Sequence, residues 1–140
     1  MPLMPKRVKH RKVQRGRNEG IAARNNKLDF GDFGLQTLEA AHVSGQQLEA
    51  VRVAVNRHLQ RKGKVWLRIF PDKPITSKPL EVRMGKGKGD PEGWVAVLKP
   101  GNMIVELSGG SERLAKEALS RAASKLPCRC KMLVRRGVES

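Results

Sequence analysis

The sequence predicts an α+β fold, with two helices packed on a mostly antiparallel or mixed sheet and an extended basic N-terminal arm ahead of them. Three observations carry that expectation. Apolar residues recur at helical spacing over 48–59 and 114–122. They alternate or run together as in strands over 64–70, 94–99, 103–107 and 128–134. Residues 1–25 show neither pattern. A length of 140 residues suits one domain, read as an arm over 1–25 and a single α+β domain over 26–140.

In chain order, the arm comes first. Between Lys6 and Arg17 the only apolar residues are Val8 and Val13, so no helix face can be buried. The segment is expected to be extended and to be ordered by its partner. Two short strands are expected over 28–42, where Phe30 and Phe33 flank a Gly-Asp turn and the repeated Phe-Gly implies close backbone packing or a bulge. Helix one opens at Ser44, which forms a capping box with Gln47. Its apolar stripe is Leu48, Val51, Val55 and Leu59, and Gly63 is expected at its C-terminal stop.

Lys64–Phe70 alternates Val65, Leu67 and Ile69 against Trp66, Arg68 and Phe70, and both faces are largely apolar, which predicts a central strand. Pro71 and Pro74 break it. Trp94–Lys99 and Met103–Leu107 are two further strands, and Pro100-Gly101-Asn102 between them predicts a hairpin. Helix two is expected over Glu112–Lys125, capped by Ser111, with Leu114, Ala118, Leu119 and Ala122 as its buried stripe. A last strand runs from Cys128 to Val134.

Charge decides what kind of partner this fold serves. The net charge is +16, whereas solubility alone asks for about 2–8 in a small domain. It is also clustered. Residues 1–25 carry +7, 26–49 carry −3, 50–90 carry +8 and 91–140 carry +4. Such clustering is the footprint of a polyanion, with nucleic acid ahead of an anionic membrane. In the arm the basic residues are Lys6, Arg7, Lys9, Arg11, Lys12, Arg15 and Arg17, each able to displace counterions from a phosphate. On helix one, Arg52, Asn56, Arg57, Gln60, Arg61 and Lys62 form a polar side on which Glu49 is the one acid, whereas a solvated helix usually mixes signs.

Residues 83–89, RMGKGKG, alternate three glycines with Lys86 and Lys88, with Arg83 at the base. Nothing here can pack, so an exposed finger over 83–90 is expected. Glycine admits close backbone approach, and the lysines bring charge to phosphates. The string matches neither a Walker A loop nor a dinucleotide-binding fingerprint.

Other classes are excluded on residue grounds. No run approaches the ~18 apolar residues of a membrane span, and two cysteines make no disulfide scaffold. Cys128 and Cys130 fall on one face of a strand and lack the second pair a zinc site needs, so they read as buried structural thiols in a reducing cytosol. His10, His42 and His58 show no metal spacing and no nucleophile–base grouping. No catalytic residue, metal or cofactor is expected. The arm lacks the apolar stretch of a secretory signal, and it lacks the serines and apolar stripe of a transit peptide.

Four strings occur in order: Pro5-Lys6-Arg7 with Lys9 and Arg11-Lys12; Phe30-Gly31 followed by Phe33-Gly34-Leu35; Lys64-Val65-Trp66-Leu67-Arg68-Ile69-Phe70-Pro71-Asp72-Lys73-Pro74; and Val82-Arg83-Met84-Gly85-Lys86-Gly87-Lys88-Gly89. From Met4 to about Arg135 the chain strongly resembles the large-subunit ribosomal protein L-sixteen family, shared with L-ten-e. The resemblance implies an α/β-hammerhead fold and a structural role in the large ribosomal subunit. It implies binding to large-subunit rRNA, organisation of the aminoacyl-tRNA site near the peptidyl transferase centre, and contact with tRNA and neighbouring large-subunit proteins. The arm residues, with Lys64, Arg68 and Lys73, are then expected at rRNA. Arg52, Arg57, Arg61, Arg83, Lys86 and Lys88 are expected to face tRNA or nearby rRNA. The expected location is the cytoplasmic ribosome. A free-standing RNA-binding assembly factor is the alternative reading, and a basic membrane-surface protein is disfavoured for want of an amphipathic helix with aromatic anchors.

Overall fold

The computed structural model describes residues 3–136, so the last four residues of the expected folded region lie outside the described residues. The elements are β1 (Phe33–Thr37), β2 (Ala41–Ser44), α1 (Gly45–His58), β3 (Lys64–Leu67), β4 (Lys73–Ser77), β5 (Asp90–Leu98), β6 (Met103–Ser108), α2 (Glu112–Ala123) and β7 (Cys130–Val134). The α+β class is as the sequence predicts, but the strands form two sheets. One has the order β3-β6-β1-β7 and the other β2-β5-β4, and every pairing is antiparallel.

The caps follow directly from local sequence. Ser44 accepts from the Gln47 backbone N–H, and the Gln47 side chain accepts from the Ser44 N–H, the complete capping box. Ser111 caps α2 through the Leu114 N–H. Leu48, Val51, Val55 and Leu59 are buried, and α1 and α2 lie side by side on the four-stranded sheet. The main core closes between them, with Phe33, Leu35, Val105, Leu107, Ala118 and Leu119 among its members. A second cluster of Val43, Leu48, Leu98, Ile104 and Cys128 fills the junction between the sheets.

Four expectations need correction. First, the hairpin is not made: β5 pairs with β2 and β4, whereas β6 pairs with β1 and β3. The turn itself forms, with Gly101 at φ +102° and the Asn102 N–H bonded to Lys99 O. It carries the chain from one sheet to the other, and Thr37 brackets that step, accepting from Gly101 N–H and donating to Asn102 O. Second, the central strand is β6, buried from Met103 to Leu107, and the strand of KVWLRIF is a sheet edge ending at Leu67. Its outer face is apolar because Trp66 stacks on Phe30 across 6.1 Å.

Third, the strand before Pro71 does end, but a further strand that the sequence does not predict follows it. Lys73–Ser77 is β4, and Pro74 is tolerated because that strand is the edge of its sheet. Fourth, Gly63 is not the helix stop. α1 ends at His58, and the left-handed turn that follows is taken by Gln60 (φ +53°) and Arg61 (φ +62°). Gly63 is needed for close approach instead, since a Cβ there would sit 2.4 Å from Ser108 O.

The repeated Phe-Gly does mark close packing. β1 starts at Phe33 rather than at Phe30, and its pairing with β6 shifts register between Leu35 and Gln36. Gly31 lies outside the strand, where a Cβ would sit 2.6 Å from Leu107 O and 2.9 Å from Leu107 N. Gly31→Ala is therefore expected to destabilise the fold by about 1–3 kcal/mol, because rigid backbone must move. The check is the thermal midpoint, and a midpoint equal to that of the unaltered protein would refute the close packing.

Candidate nucleic-acid interface

The candidate interface is built on three elements. The arm contains no helix or strand from Leu3 to Arg17, and all seven of its Lys and Arg side chains between Lys6 and Arg17 are exposed. Its backbone is tied to the body along its length. The Leu3 carbonyl sits over Gly45, where a Cβ would meet it at 2.6 Å. Lys73 Nζ donates to Arg15 O at 2.5 Å, and Asn18 Nδ2 donates to Leu98 O at 2.8 Å. Further on, Ala22 N–H bonds to Pro100 O at 3.0 Å. None of these ties is legible in sequence, because each uses a backbone carbonyl that any residue could supply.

The finger is the loop joining the paired strands β4 and β5, whose ladder closes at Ser77 and Asp90. It carries three successive left-handed residues: Gly85 at φ +97°, Lys86 at +58° and Gly87 at +103°. Two are glycine, which adopts that region freely, and Lys86 between them is held there against its preference. Arg83, Lys86 and Lys88 are exposed, and Leu80 and Met84 stand almost fully in solvent. Lys78 Nζ donates to Gly85 O across the loop. The finger lies beside the arm: Lys12 Nζ donates to Lys88 O at 3.1 Å, and Lys88 Nζ donates to Val13 O at 2.7 Å.

Arg57 on α1 and Arg61 in the turn after it are exposed, and no carboxylate among the described residues lies within ion-pair distance of either. Arg52 differs. Its Nε donates to Glu49 at 3.1 Å, and its guanidinium holds the Glu49 carboxyl below the usual carboxylate range. Glu49 in turn raises Arg52. Part of the Arg52 charge is thus neutralised within the helix. Val53, Asn56 and Gln60 join these arginines around a shallow depression. Arg57 lies roughly 18 Å along α1 from Gly45, where the arm begins. The structure therefore brings arm, finger and Lys73 together, and among the described residues no hydrogen bond joins Arg52, Arg57 or Arg61 to them. Lys64 is exposed at the start of the edge strand β3.

Arg68 stands in a different environment from the other basic residues. Its side chain is only 13% exposed and donates to the buried Glu106 at 2.5 Å and to Asp29 at 2.9 Å. Its guanidinium also lies 5.0 Å from the centre of the Phe30 ring. Glu106 is the centre of this arrangement and was not singled out from sequence. It is fully buried on β6 and accepts from three successive backbone N–H groups, Asp29 at 3.1 Å, Phe30 at 2.8 Å and Gly31 at 2.9 Å. Burial alone would push its carboxyl up. The bonds from Gly31, Phe30, Asp29 and Arg68 outweigh burial and hold it below the usual range. The available signal was a lone acid inside the apolar run MIVEL.

The remaining polar candidates serve the fold. His58 Nε2 lies 3.1 Å from Glu117, bridging α1 and α2. Cys128 and Cys130 are free thiols with sulfurs 3.8 Å apart. Burial, with Cys128 beside it, pushes the Cys130 thiol up to about 12, which leaves it protonated and a poor nucleophile at neutral pH. Among the described residues no cluster of His, Cys, Asp or Glu could hold a metal ion, and no helix is long and apolar enough to cross a membrane.

Exposed cations on a strap, a loop and a helix end, all carried by a well-packed α+β body, define a strongly basic protein suited to a polyanion partner. The family model described as Ribosomal protein L16p/L10e matches residues 5–133. The chain belongs to that family of large-subunit ribosomal proteins, whose members are structural constituents of an RNA-binding ribonucleoprotein that acts in translation.

Proposed function

We propose that the chain binds large-subunit rRNA through its arm, organises the aminoacyl-tRNA site near the peptidyl transferase centre, and reaches tRNA with its finger, in the cytoplasmic ribosome. The observation that carries this reading is the joining of arm and finger into one cationic surface by Lys12, Lys73 and Lys88. Lys6, Arg7, Lys9, Arg11, Lys12, Arg15 and Arg17 neutralise phosphates on converging RNA segments, with Lys64 and Lys73 adding to them. Arg52, Arg57 and Arg61 offer a second surface at the end of α1, where Arg guanidinium groups make bidentate phosphate contacts. Arg68 is assigned to the fold instead, because Glu106 and Asp29 occupy its guanidinium.

The mechanism involves no bond chemistry. The body holds separated cationic surfaces at fixed spacing, which lowers the free-energy cost of bringing RNA segments together. The finger enters space too crowded for a packed domain, because glycines at 85, 87 and 89 leave only backbone and two lysine side chains there. Recognition rests on RNA shape and backbone, since only five aromatic residues are available to stack on bases.

The test is Lys86→Ala combined with Lys88→Ala in reconstituted large subunits. Such subunits should assemble and sediment normally after a high-salt wash, yet bind aminoacyl-tRNA about tenfold more weakly. Normal tRNA binding and normal translation would remove the finger from the functional surface.

A further inference from the structure

We propose that the arm is the positioning strap of the finger, with Lys12 setting the finger's orientation before any RNA is bound. The proposal rests on the finger's role above for its consequence, though its geometry stands independently. Lys12 and Lys88 each donate to a backbone carbonyl of the other's segment, at 3.1 Å to Lys88 O and 2.7 Å to Val13 O. This is a reciprocal clasp between residues 75 and 76 positions apart. A third bond extends it: Lys73 on β4, the strand leading into the finger, donates to Arg15 O at 2.5 Å.

The strap is itself anchored at both ends by contacts that need no charge. At its start Leu3 sits on Gly45, the first residue of α1. Beyond the clasp, Asn18 and Ala22 bond to Leu98 and Pro100, at the far end of β5, the strand leaving the finger. The arm thus meets the chain just before β5, at Lys88, and again at the last residue of β5, Leu98. The finger has little to hold it otherwise. Ladder bonding stops at Ser77 and Asp90, and the ties within the loop are the Val82 N–H bond to Pro79 O at 3.1 Å near its base, the close approach of Gly89 to Ser77 O, and the Lys78 contact to Gly85 O, which leaves Lys86–Lys88 with no hydrogen bond to the loop's own residues.

Each ammonium–carbonyl bond is a modest hold, but a loop this rich in glycine has few competing restraints. The clasp also links the two binding events. A phosphate that draws Lys12 away frees one side of the finger, and a finger seated on its target changes what Lys12 meets. Such coupling is reciprocal by thermodynamic necessity.

The experiment is backbone amide NMR relaxation on the full chain without RNA, read at Gly85, Gly87 and Gly89. Three proteins are compared: the unaltered chain, Lys12→Met, and Lys9→Met, whose residue makes no hydrogen bond to the finger. In Lys12→Met the order parameters of the three glycines should fall below about 0.6, while the rest of the spectrum is unchanged. The unaltered chain and Lys9→Met should both stay clearly above that value. Unchanged finger order in Lys12→Met, or an equal fall in Lys9→Met, overturns the strap. The finger's functional role has its own separate readout. If Lys12→Met loosens the finger but Lys86→Ala with Lys88→Ala leaves tRNA binding normal, the strap stands and the tRNA assignment falls.

Discussion

Glu106→Gln should destabilise the protein by about 3–5 kcal/mol, seen as a lowered urea midpoint with an unchanged slope. The side chain keeps its size, so packing within β6 is not the cause. What changes is the charge that Arg68 and three backbone donors converge on. A glutamine presents one NH2 toward those donors, leaving at least one N–H without an acceptor and the Arg68 guanidinium with Asp29 as its one remaining carboxylate beside the Lys27 carbonyl. Removing the charge from a buried cluster costs far more than the cluster contributes, because the backbone donors and the guanidinium left behind stay desolvated without their full set of acceptors. Domains of this size hold about 5–15 kcal/mol in total, so the variant should lose a large fraction of its stability.

The same residue makes the fold acid-sensitive. Its folded carboxyl lies below the ordinary value, so the unfolded state binds the proton more readily. The stabilisation is fully present above the ordinary carboxylate range and is lost as pH falls through the lowered folded value. The urea midpoint of the unaltered protein should drop on acidification, and Glu106→Gln should show a flatter acid limb. Equal midpoints and equal acid limbs in the two proteins would show that the Glu106 cluster contributes nothing.

Removal of residues 1–17 should weaken binding to large-subunit rRNA by about 100-fold or more near physiological salt and flatten the salt dependence. The deletion takes away seven exposed Lys and Arg. Each phosphate contact contributes roughly 0.7–0.9 to the slope of log affinity against log salt, so full engagement would remove about 5–6 units. The folded body should survive, because both core clusters lie in residues beyond the arm except for Leu3 at the margin of one. A full-length variant with the same seven residues changed to Gln separates charge from chain length and should behave as the deletion does. A salt slope equal to that of the unaltered protein would take the arm out of the RNA-binding surface.

Local chemistry was readable residue by residue. Ser44 with Gln47 and Ser111 with Leu114 form caps within a few positions, so no distant partner is needed to find them. The stripe of Leu48, Val51, Val55 and Leu59 is set by helical period alone. The finger is legible because Gly85, Lys86, Gly87, Lys88 and Gly89 leave nothing to bury. By contrast, β4 was missed because Pro74 reads as a breaker, and only its edge position makes it harmless.

The order of strands was beyond reach for a related reason. KVWLRIF and MIVEL both look apolar on two faces, yet Trp66 is covered by a single phenylalanine at an edge and β6 by strands on both sides. Which strand takes which cover depends on residues far away in the chain. Glu106 is the sharpest case: its charge looks like an error in a buried strand until Asp29, Phe30, Gly31 and Arg68 arrive from 38 to 77 positions away.

The sequence by itself determined the α+β class, the helix ends that carry caps, the sites of excess positive charge and the polyanion they imply. These depend on period, local hydrogen bonding and net charge, which act over a few residues or need no geometry at all. Only the tertiary structure decided that β5 and β6 part into different sheets, that Arg68 belongs to the interior, and that arm and finger clasp each other. Those outcomes are settled by long-range competition for backbone partners and by desolvation, and neither leaves a mark on the order of residues along the chain.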